Sequence, residues 1–127
     1  MKKIILFISL IVNCVPFFAA PPNLAMEKLF DGRFNTNRHV ETTIYKNNGK
    51  FYRGVTVKGD SKVISEIEKA MNIDKERAFK YAFHQDKGGS YTSMHFINHG
   101  DTIFTGLQIE SPGTGFFYIQ ANEKAFQ

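Results

Sequence analysis

The sequence predicts an α+β domain built on an antiparallel sheet of about five strands: two hairpins and a C-terminal strand. One or two helices are expected to pack on one face, with a short helix at the N-terminal side. Two strong hairpin turn signals, Asn48-Gly49 and His99-Gly100, lie between runs of alternating apolar residues. Between these hairpins, apolar residues recur at helical spacing over residues 63–71.

The first 20 residues have the layout of a secretory signal peptide. Lys2 and Lys3 precede an apolar run over residues 4–12, and Ala19 and Ala20 offer a cleavage site. The apolar run is shorter than the roughly 20 residues that a membrane-spanning helix needs. We therefore predict an exported protein, periplasmic or at the cell surface, with one domain over residues 21–127 and no membrane span after signal removal.

Removal of the signal changes the chemistry of the chain. Cys14 is the single cysteine, so the mature domain is expected to hold no disulfide, thiol nucleophile or cysteine metal site. Loss of Lys2 and Lys3 lowers the formal net charge from +4 to about +2. That charge is too small for a basic nucleic-acid footprint, so no nucleic-acid partner is expected.

The first half of the domain is predicted as a helix, a hairpin and a second helix. Residues 24–30 have helical spacing, with Asn23 as N-cap and Asp31-Gly32 as the end. Residues 40–46 and 50–58 form the hairpin, whose turn places Val40 opposite Val57 and Lys46 opposite Phe51. The next helix starts after an Asp60-Ser61 cap and ends near Asn72.

Residues 75–83 fit two structures. Asp74 is a plausible N-cap for another helix, whereas Phe79, Tyr81 and Phe83 alternate as in a strand. Residues 84–90 are predicted to be a polar loop.

The second hairpin is predicted over residues 91–97 and 102–109. Its turn places Phe96 opposite Ile103 and Met94 opposite Thr105. Pro112-Gly113 occupies the central positions of a type II turn, and a last strand follows over residues 115–121. Loop lengths leave the order of the strands in the sheet open.

Three short motifs carry a family resemblance. They are residues 29–34 (LFDGRF), residues 51–53 (FYR) and residues 56–58 (TVK) before the helix. In these motifs the chain resembles a family of small exported Bacteroidetes proteins of uncharacterised function, over most of residues 26–97. The resemblance implies a Gram-negative envelope or surface location and supplies no catalytic residue.

Catalytic and metal motifs are weak in this sequence. His95 and His99 are spaced as in helical zinc sites, but in a strand residues four apart are separated by about 13 Å. No G-x-S-x-G or S-x-x-K motif is present, and residues 87–90 (KGGS) lead into a strand, whereas a phosphate loop leads into a helix. We predict no cofactor, no metal site and no catalytic residue.

The face of the sheet opposite the predicted core carries aromatic and small residues. Antiparallel sheets usually present a polar face to water, so either another element or a second chain covers this face, or it binds a ligand. Rings supply flat apolar area, and glycines between them admit close approach. Gly54 and Gly106 are the glycines, and the candidate binding residues are Tyr45, Tyr52, Tyr91, His95 and Phe104.

These features favour an exported, non-catalytic binding or interaction domain of the cell envelope. The ligand class stays open among a glycan, a peptide and an envelope protein. One alternative is a small hydrolase, possibly metal-assisted, that uses His84, Asp86 and His95. Another is a structural subunit that forms a homo-oligomer, in the simplest case a dimer, through the aromatic face.

Overall fold

The computed structural model describes residues 24–126, which form a six-stranded antiparallel sheet with one α-helix and three 3-10 segments. The predicted α+β class is confirmed, with one strand more than expected. The strands are β1 (Val40–Asn47), β2 (Lys50–Val57), β3 (Lys80–Asp86), β4 (Gly89–Asn98), β5 (Asp101–Ser111) and β6 (Thr114–Asn122). The helix is α1 (Ser61–Asp74), and the 3-10 segments are Ala25–Phe30, Lys75–Arg77 and Glu123–Phe126.

The strand order across the sheet is β1-β2-β6-β5-β4-β3. The last strand, β6, therefore lies between the two hairpins and pairs antiparallel with β2 on one side and β5 on the other. Tyr118 of β6 lies opposite both Gly54 and Gly106. One continuous sheet results, although its two halves are far apart in sequence.

Two primed turns set the hairpin registers. Asn48 and Gly49 have φ of 52° and 79°, and His99 and Gly100 have φ of 54° and 79°, as type I′ turns require. The predicted pairs are confirmed: Val40 with Val57, Lys46 with Phe51, Phe96 with Ile103 and Met94 with Thr105.

Residues 75–86 differ from the sequence predictions. Of the two structures left open for residues 75–83, the strand is the one that forms, since the 3-10 turn ends at Arg77 and β3 runs from Lys80 to Asp86. The predicted loop over residues 84–90 is wrong, because β3 and β4 pair until Asp86 meets Gly89. Helix α1 continues past Asn72 to Asp74. The N-terminal segment is 3-10 rather than α-helical, and the predicted cap Asn23 lies outside the described residues.

All helical segments of the described residues pack on one face of the sheet. Asp60 caps α1, because its carboxylate accepts the backbone N–H groups of Lys62 and Val63. The apolar side of α1 and the N-terminal 3-10 segment then cover the strands. The largest buried side chains in this core are Phe117, Met26, Leu29, Ile67, Met94, Ile103 and Leu107. Within residues 24–126, neither α1 nor a 3-10 segment is long and apolar enough to cross a bilayer.

A buried carboxylate joins the end of α1 to the N-terminal segment. Asp74 is 1% exposed, and it accepts the backbone N–H groups of Ala25 at 2.7 Å and Met26 at 2.9 Å. These are donors at the start of a 3-10 turn, where the helical ladder supplies no acceptor. The contact explains why Asp74 does not start a new helix: its side chain is engaged by a segment 48 residues away.

We expect Asp74→Ala to lower the free energy of unfolding by about 2–4 kcal/mol, because two buried N–H groups lose a charged acceptor. Asp74→Asn, which keeps one carbonyl acceptor, should lower the free energy of unfolding by a smaller amount. Urea denaturation of the three proteins measures both values. A loss below about 0.5 kcal/mol for the alanine variant would show that the contact does not hold the N-terminal segment in place.

Candidate binding face

The structure places all five candidate binding residues on the sheet face opposite α1. Tyr45, Tyr52, Phe104 and His95 belong to one row across the sheet, with Gln120 of β6 between Tyr52 and Phe104. The fifth residue, Tyr91, lies in a parallel row, opposite Gln108 and His84. We call this surface the open face, since the helical segments in residues 24–126 pack on the other side.

Strand β6 adds two aromatic residues to the centre of the open face. Phe116 and Tyr118 alternate with the buried Phe117 and Ile119, so they lie on the opposite side of the strand. Sequence reasoning missed both as site residues, although this alternation was the signal that could have found them. They connect Tyr52 on one hairpin with the aromatic residues of the other.

The central rings lie nearly parallel. The ring centroids of Tyr52 and Phe116 are 6.5 Å apart, those of Tyr52 and Tyr118 are 6.3 Å apart, and those of Phe116 and Tyr118 are 6.2 Å apart. The angles between the ring planes are 24°, 14° and 22° in the same order. These three aromatic rings form the middle of the open face. Together with the flanking rings of Tyr45, Phe104, His95 and Tyr91 we call them the ring layer.

The glycines of the open face make room for these rings. A Cβ at Gly106 would lie 2.5 Å from Cε1 of Tyr118, and a Cβ at Gly54 would lie 3.1 Å from Cε1 of Phe116. The protein's own rings therefore occupy the space that the sequence reading assigned to an approaching ligand. A ligand on this face would meet the ring layer instead of the backbone at these glycines.

Two tyrosine hydroxyls on the open face, those of Tyr52 and Tyr118, have a raised pKa. The Tyr91 and Tyr118 hydroxyls form a hydrogen bond of 2.8 Å across β5. Burial, supported by this hydrogen bond, raises the pKa of Tyr118 above its ordinary value, and burial also raises the pKa of Tyr52. Neither hydroxyl ionises near neutral pH, so both can donate and accept hydrogen bonds.

Two shallow depressions lie toward opposite corners of the open face. The first, of about 390 Å³, is lined by Phe104, Gln120 and Asn122 together with Lys50 and Asp101. The second, of about 270 Å³, is lined by Tyr91, Gln108, His84 and Asp86 with the adjoining turn. Each depression thus combines one aromatic ring with a glutamine amide.

The residues of the proposed hydrolase are only partly brought together. His84 Nε2 lies 3.5 Å from an Asp86 carboxylate oxygen, and both side chains are largely exposed. His95 is four residues along β4 from Tyr91, the partner of His84, which is about 13 Å of strand. The His95 ring packs instead against Phe104, with centroids 4.7 Å apart, and against Phe79.

The histidine positions follow the local structure. His99 has a positive φ and lies in a turn, whereas His95 lies in the middle of β4. No group of three or more histidine, cysteine, aspartate or glutamate side chains in residues 24–126 could hold a metal ion.

Three of the five candidate binding residues on the open face are exposed to solvent. Tyr45, Phe104 and Tyr91 are 54%, 39% and 37% exposed. Tyr52 and His95 are half-buried against neighbouring rings. No helical segment of residues 24–126 covers this face, so of the predicted alternatives a covering helix is not observed among these residues, and a covering second chain or a bound ligand stays a prediction.

Some of the residues that carry the family resemblance have structural roles on the helix side of the sheet, whereas Tyr52 lies on the open face. Leu29 and Phe34 are buried in the core. The Arg53 guanidinium lies 3.7 Å from Glu27 and 5.3 Å from the Phe30 ring centroid, so it fixes the N-terminal segment to β2. Burial raises the pKa of Glu27, and the nearby Arg53 opposes this rise.

Comparison of the chain with protein-family models, with curated proteins and with solved structures gave no match. The class that the fold defines is an α+β domain with one helix-covered and one open sheet face.

We expect Gly106→Ala to lower the free energy of unfolding by about 1–3 kcal/mol, because the new methyl group overlaps the Tyr118 ring. In a Tyr118→Ala background the same substitution should lower the free energy of unfolding by less than about 0.5 kcal/mol. Urea denaturation of the four proteins completes this double-mutant cycle. Equal losses in both backgrounds would show that the glycine does not serve the ring.

Proposed function

We propose that this protein is an exported, non-catalytic binding domain whose open face binds an uncharged glycan. The observation that carries the proposal is the accessible layer of aromatic rings, with amides and hydroxyls between and beside them. Tyr52, Phe116 and Tyr118 form its centre. Large exposed aromatic surfaces indicate an interaction site.

The chemistry of the open face fits sugar rings. A pyranose has an apolar C–H face that packs on an aromatic ring and an edge of hydroxyl groups that needs hydrogen-bond partners. Phe104 beside Gln120 offers both groups in one depression, and Tyr91 beside Gln108 offers both in the other. The rings from Tyr52 on β2 to Tyr91 on β4 span four adjacent strands, about 14 Å across the sheet. This length favours an oligosaccharide over a single sugar.

The charge distribution favours a neutral ligand. The rows through the centre of the open face carry Gln108, Gln120 and Ser93 between the rings. Formal charges lie at the margins, on Glu41 and Lys50 at one side and on Lys80 and Asp86 at the other. An acidic polysaccharide would find no cluster of cations at the ring layer.

We expect the protein to bind a neutral β-1,4-linked hexasaccharide such as cellohexaose or xylohexaose in isothermal titration calorimetry. Tyr91→Ala and Tyr52→Ala should each weaken binding by about ten-fold, because each removes a ring from the ligand surface. Tyr81→Ala is the matched control, since Tyr81 is similarly exposed (42%) but belongs to the opposite face.

Two results would contradict a neutral-glycan site. One is binding of an oligogalacturonate with no binding of neutral oligosaccharides. The other is an equal loss of affinity in Tyr81→Ala and Tyr91→Ala, because the open face would then not be the binding surface.

The proposed location is the envelope or surface of a Gram-negative bacterium. It is supported by the signal-like residues 1–20, which lie outside the described residues, and by the resemblance to exported Bacteroidetes proteins. An envelope location would give the domain access to polysaccharides.

We expect the full sequence, expressed in a Gram-negative host, to yield a periplasmic or surface protein that lacks its first 19 or 20 residues. Cell fractionation with intact mass measurement and N-terminal sequencing checks this. Replacement of residues 4–12 by polar residues should retain the protein, uncleaved, in the cytoplasm. A cytoplasmic protein that starts at Met1 would contradict export.

A further inference from the structure

Within residues 24–126, no strand pairs with the outer side of the edge strand β3. Strand β4 pairs with β5 through the type I′ turn at His99-Gly100, which closes on the pair Asn98 and Asp101. Even-numbered residues of β4 therefore direct their backbone groups toward β5, and odd-numbered ones toward β3. The β3 partners of the odd-numbered residues are Lys80, Ala82, His84 and Asp86. It follows that Tyr81, Phe83 and Gln85 direct their N–H and C=O groups away from the sheet.

The outward-directed backbone groups have the spacing needed to pair with β3 of a second copy of the chain. If two copies meet antiparallel with Phe83 opposite Phe83, then Tyr81 of one copy lies opposite Gln85 of the other. Every outward-directed residue then faces another outward-directed residue, as an antiparallel ladder requires. A shift of one residue would place outward groups opposite inward ones. A shift of two residues keeps the phase but pairs only five of the seven residues of β3 and separates Lys80 from Asp86. β3 contains no proline that would interrupt the ladder.

The same register brings opposite charges together. Lys80 begins the strand and Asp86 ends it, and both lie on the open-face side. In the antiparallel pair, Lys80 of each copy lies opposite Asp86 of the other, so two oppositely charged pairs form at the ends of the ladder. At the centre, the half-exposed Phe83 rings, 55% accessible, would meet on the helix side.

The other sheet edge lacks this complementarity. By the same reasoning from the Asn48-Gly49 turn, Thr42, Ile44 and Lys46 direct their backbone groups outward from β1. With Ile44 opposite Ile44, Lys46 would face Thr42 and Glu41 would face Asn47. No oppositely charged pair forms there.

We propose that two copies of the chain associate through antiparallel pairing of β3, which gives a continuous 12-stranded sheet across the dimer. The two-fold axis stands perpendicular to the sheet, so both copies of α1 lie on one side and both open faces lie on the other. This association does not depend on the proposed glycan ligand. A single strand pair is a small interface, so the dimer is expected to dissociate in the micromolar to millimolar range.

The test is sedimentation velocity of the protein, expressed from its full sequence, from about 10 μM to 1 mM. We expect the sedimentation coefficient to rise with concentration toward that of a dimer. Lys80→Glu and Asp86→Lys should each raise the dimer dissociation constant by about ten-fold, because each creates two like-charged pairs. Mixing the two variants in equal amounts should restore association, since both pairs in the mixed dimer carry opposite charges.

A matched pair of edge variants separates the two sheet edges. Phe83→Lys should abolish association, whereas Ile44→Lys should leave it unchanged. Both side chains are exposed at the middle of an edge strand, on the helix side, so both variants are expected to fold. Circular dichroism and thermal unfolding verify the fold of each variant.

Four outcomes would overturn the proposal. A monomer at all concentrations excludes the dimer. Failure of the mixed charge variants to associate excludes the register. Loss of association in Ile44→Lys alone would assign it to β1, and loss in Tyr52→Ala with Phe83→Lys unaffected would assign it to the aromatic open face.

Discussion

The architecture depends on the insertion of β6 between the two hairpins. Its backbone pairs with β2 on one side and β5 on the other, so eight to nine residues hold both halves of the chain in one sheet. Phe117 and Ile119 of this strand are fully buried against the helical layer, while Phe116 and Tyr118 complete the ring layer on the other side. The same strand therefore contributes side chains to both the core and the open face. A chain that stopped before β6 would have a two-stranded β1–β2 hairpin, which is marginal on its own, and a three-stranded β3–β4–β5 sheet with no strand to join them.

The sequence predicted the local pairings well because tight turns determine them. Asn48-Gly49 and His99-Gly100 each fix a register, and a fixed register assigns every residue of the hairpin to a face. Tyr45 and Tyr52 could thus be placed on one face of the first hairpin, and Tyr91, His95 and Phe104 on one face of the second. The position of β6 could not be predicted, because its partners lie about 60 residues away on one side and no turn selects them. Alternation along β6 separates Phe116 and Tyr118 from the buried Phe117, but only the position of β6 in the sheet places these two rings at the centre of the open face.

The errors around residues 74–86 have a different physical origin. Asp74 has the residue type of an N-cap, but its carboxylate is buried and bound to the N–H groups of Ala25 and Met26. A local signal was therefore overridden by a long-range contact, which sequence spacing does not reveal. The sequence of β3 fitted either a helix or a strand, because all seven residues of this edge strand are exposed. The alternation of Tyr81 and Phe83 is therefore weaker evidence for a strand than alternation between a buried and an exposed face.

In the proposed function the two faces of the sheet separate stability from recognition, and the edge pairing would use that division. Helix α1, the N-terminal 3-10 segment and the Arg53 contacts all stabilise one side, and no helical segment of residues 24–126 covers the open face. A β3 dimer with its axis perpendicular to the sheet places two open faces side by side, facing the same way. On a polymeric ligand the second face would then bind at a high effective concentration, so modest affinity per face would still give firm attachment. A dimer through the open faces themselves would instead bury the aromatic rings of both copies, so that mode of association and glycan binding by the same faces would be mutually exclusive, whereas pairing of β3 leaves both open faces accessible.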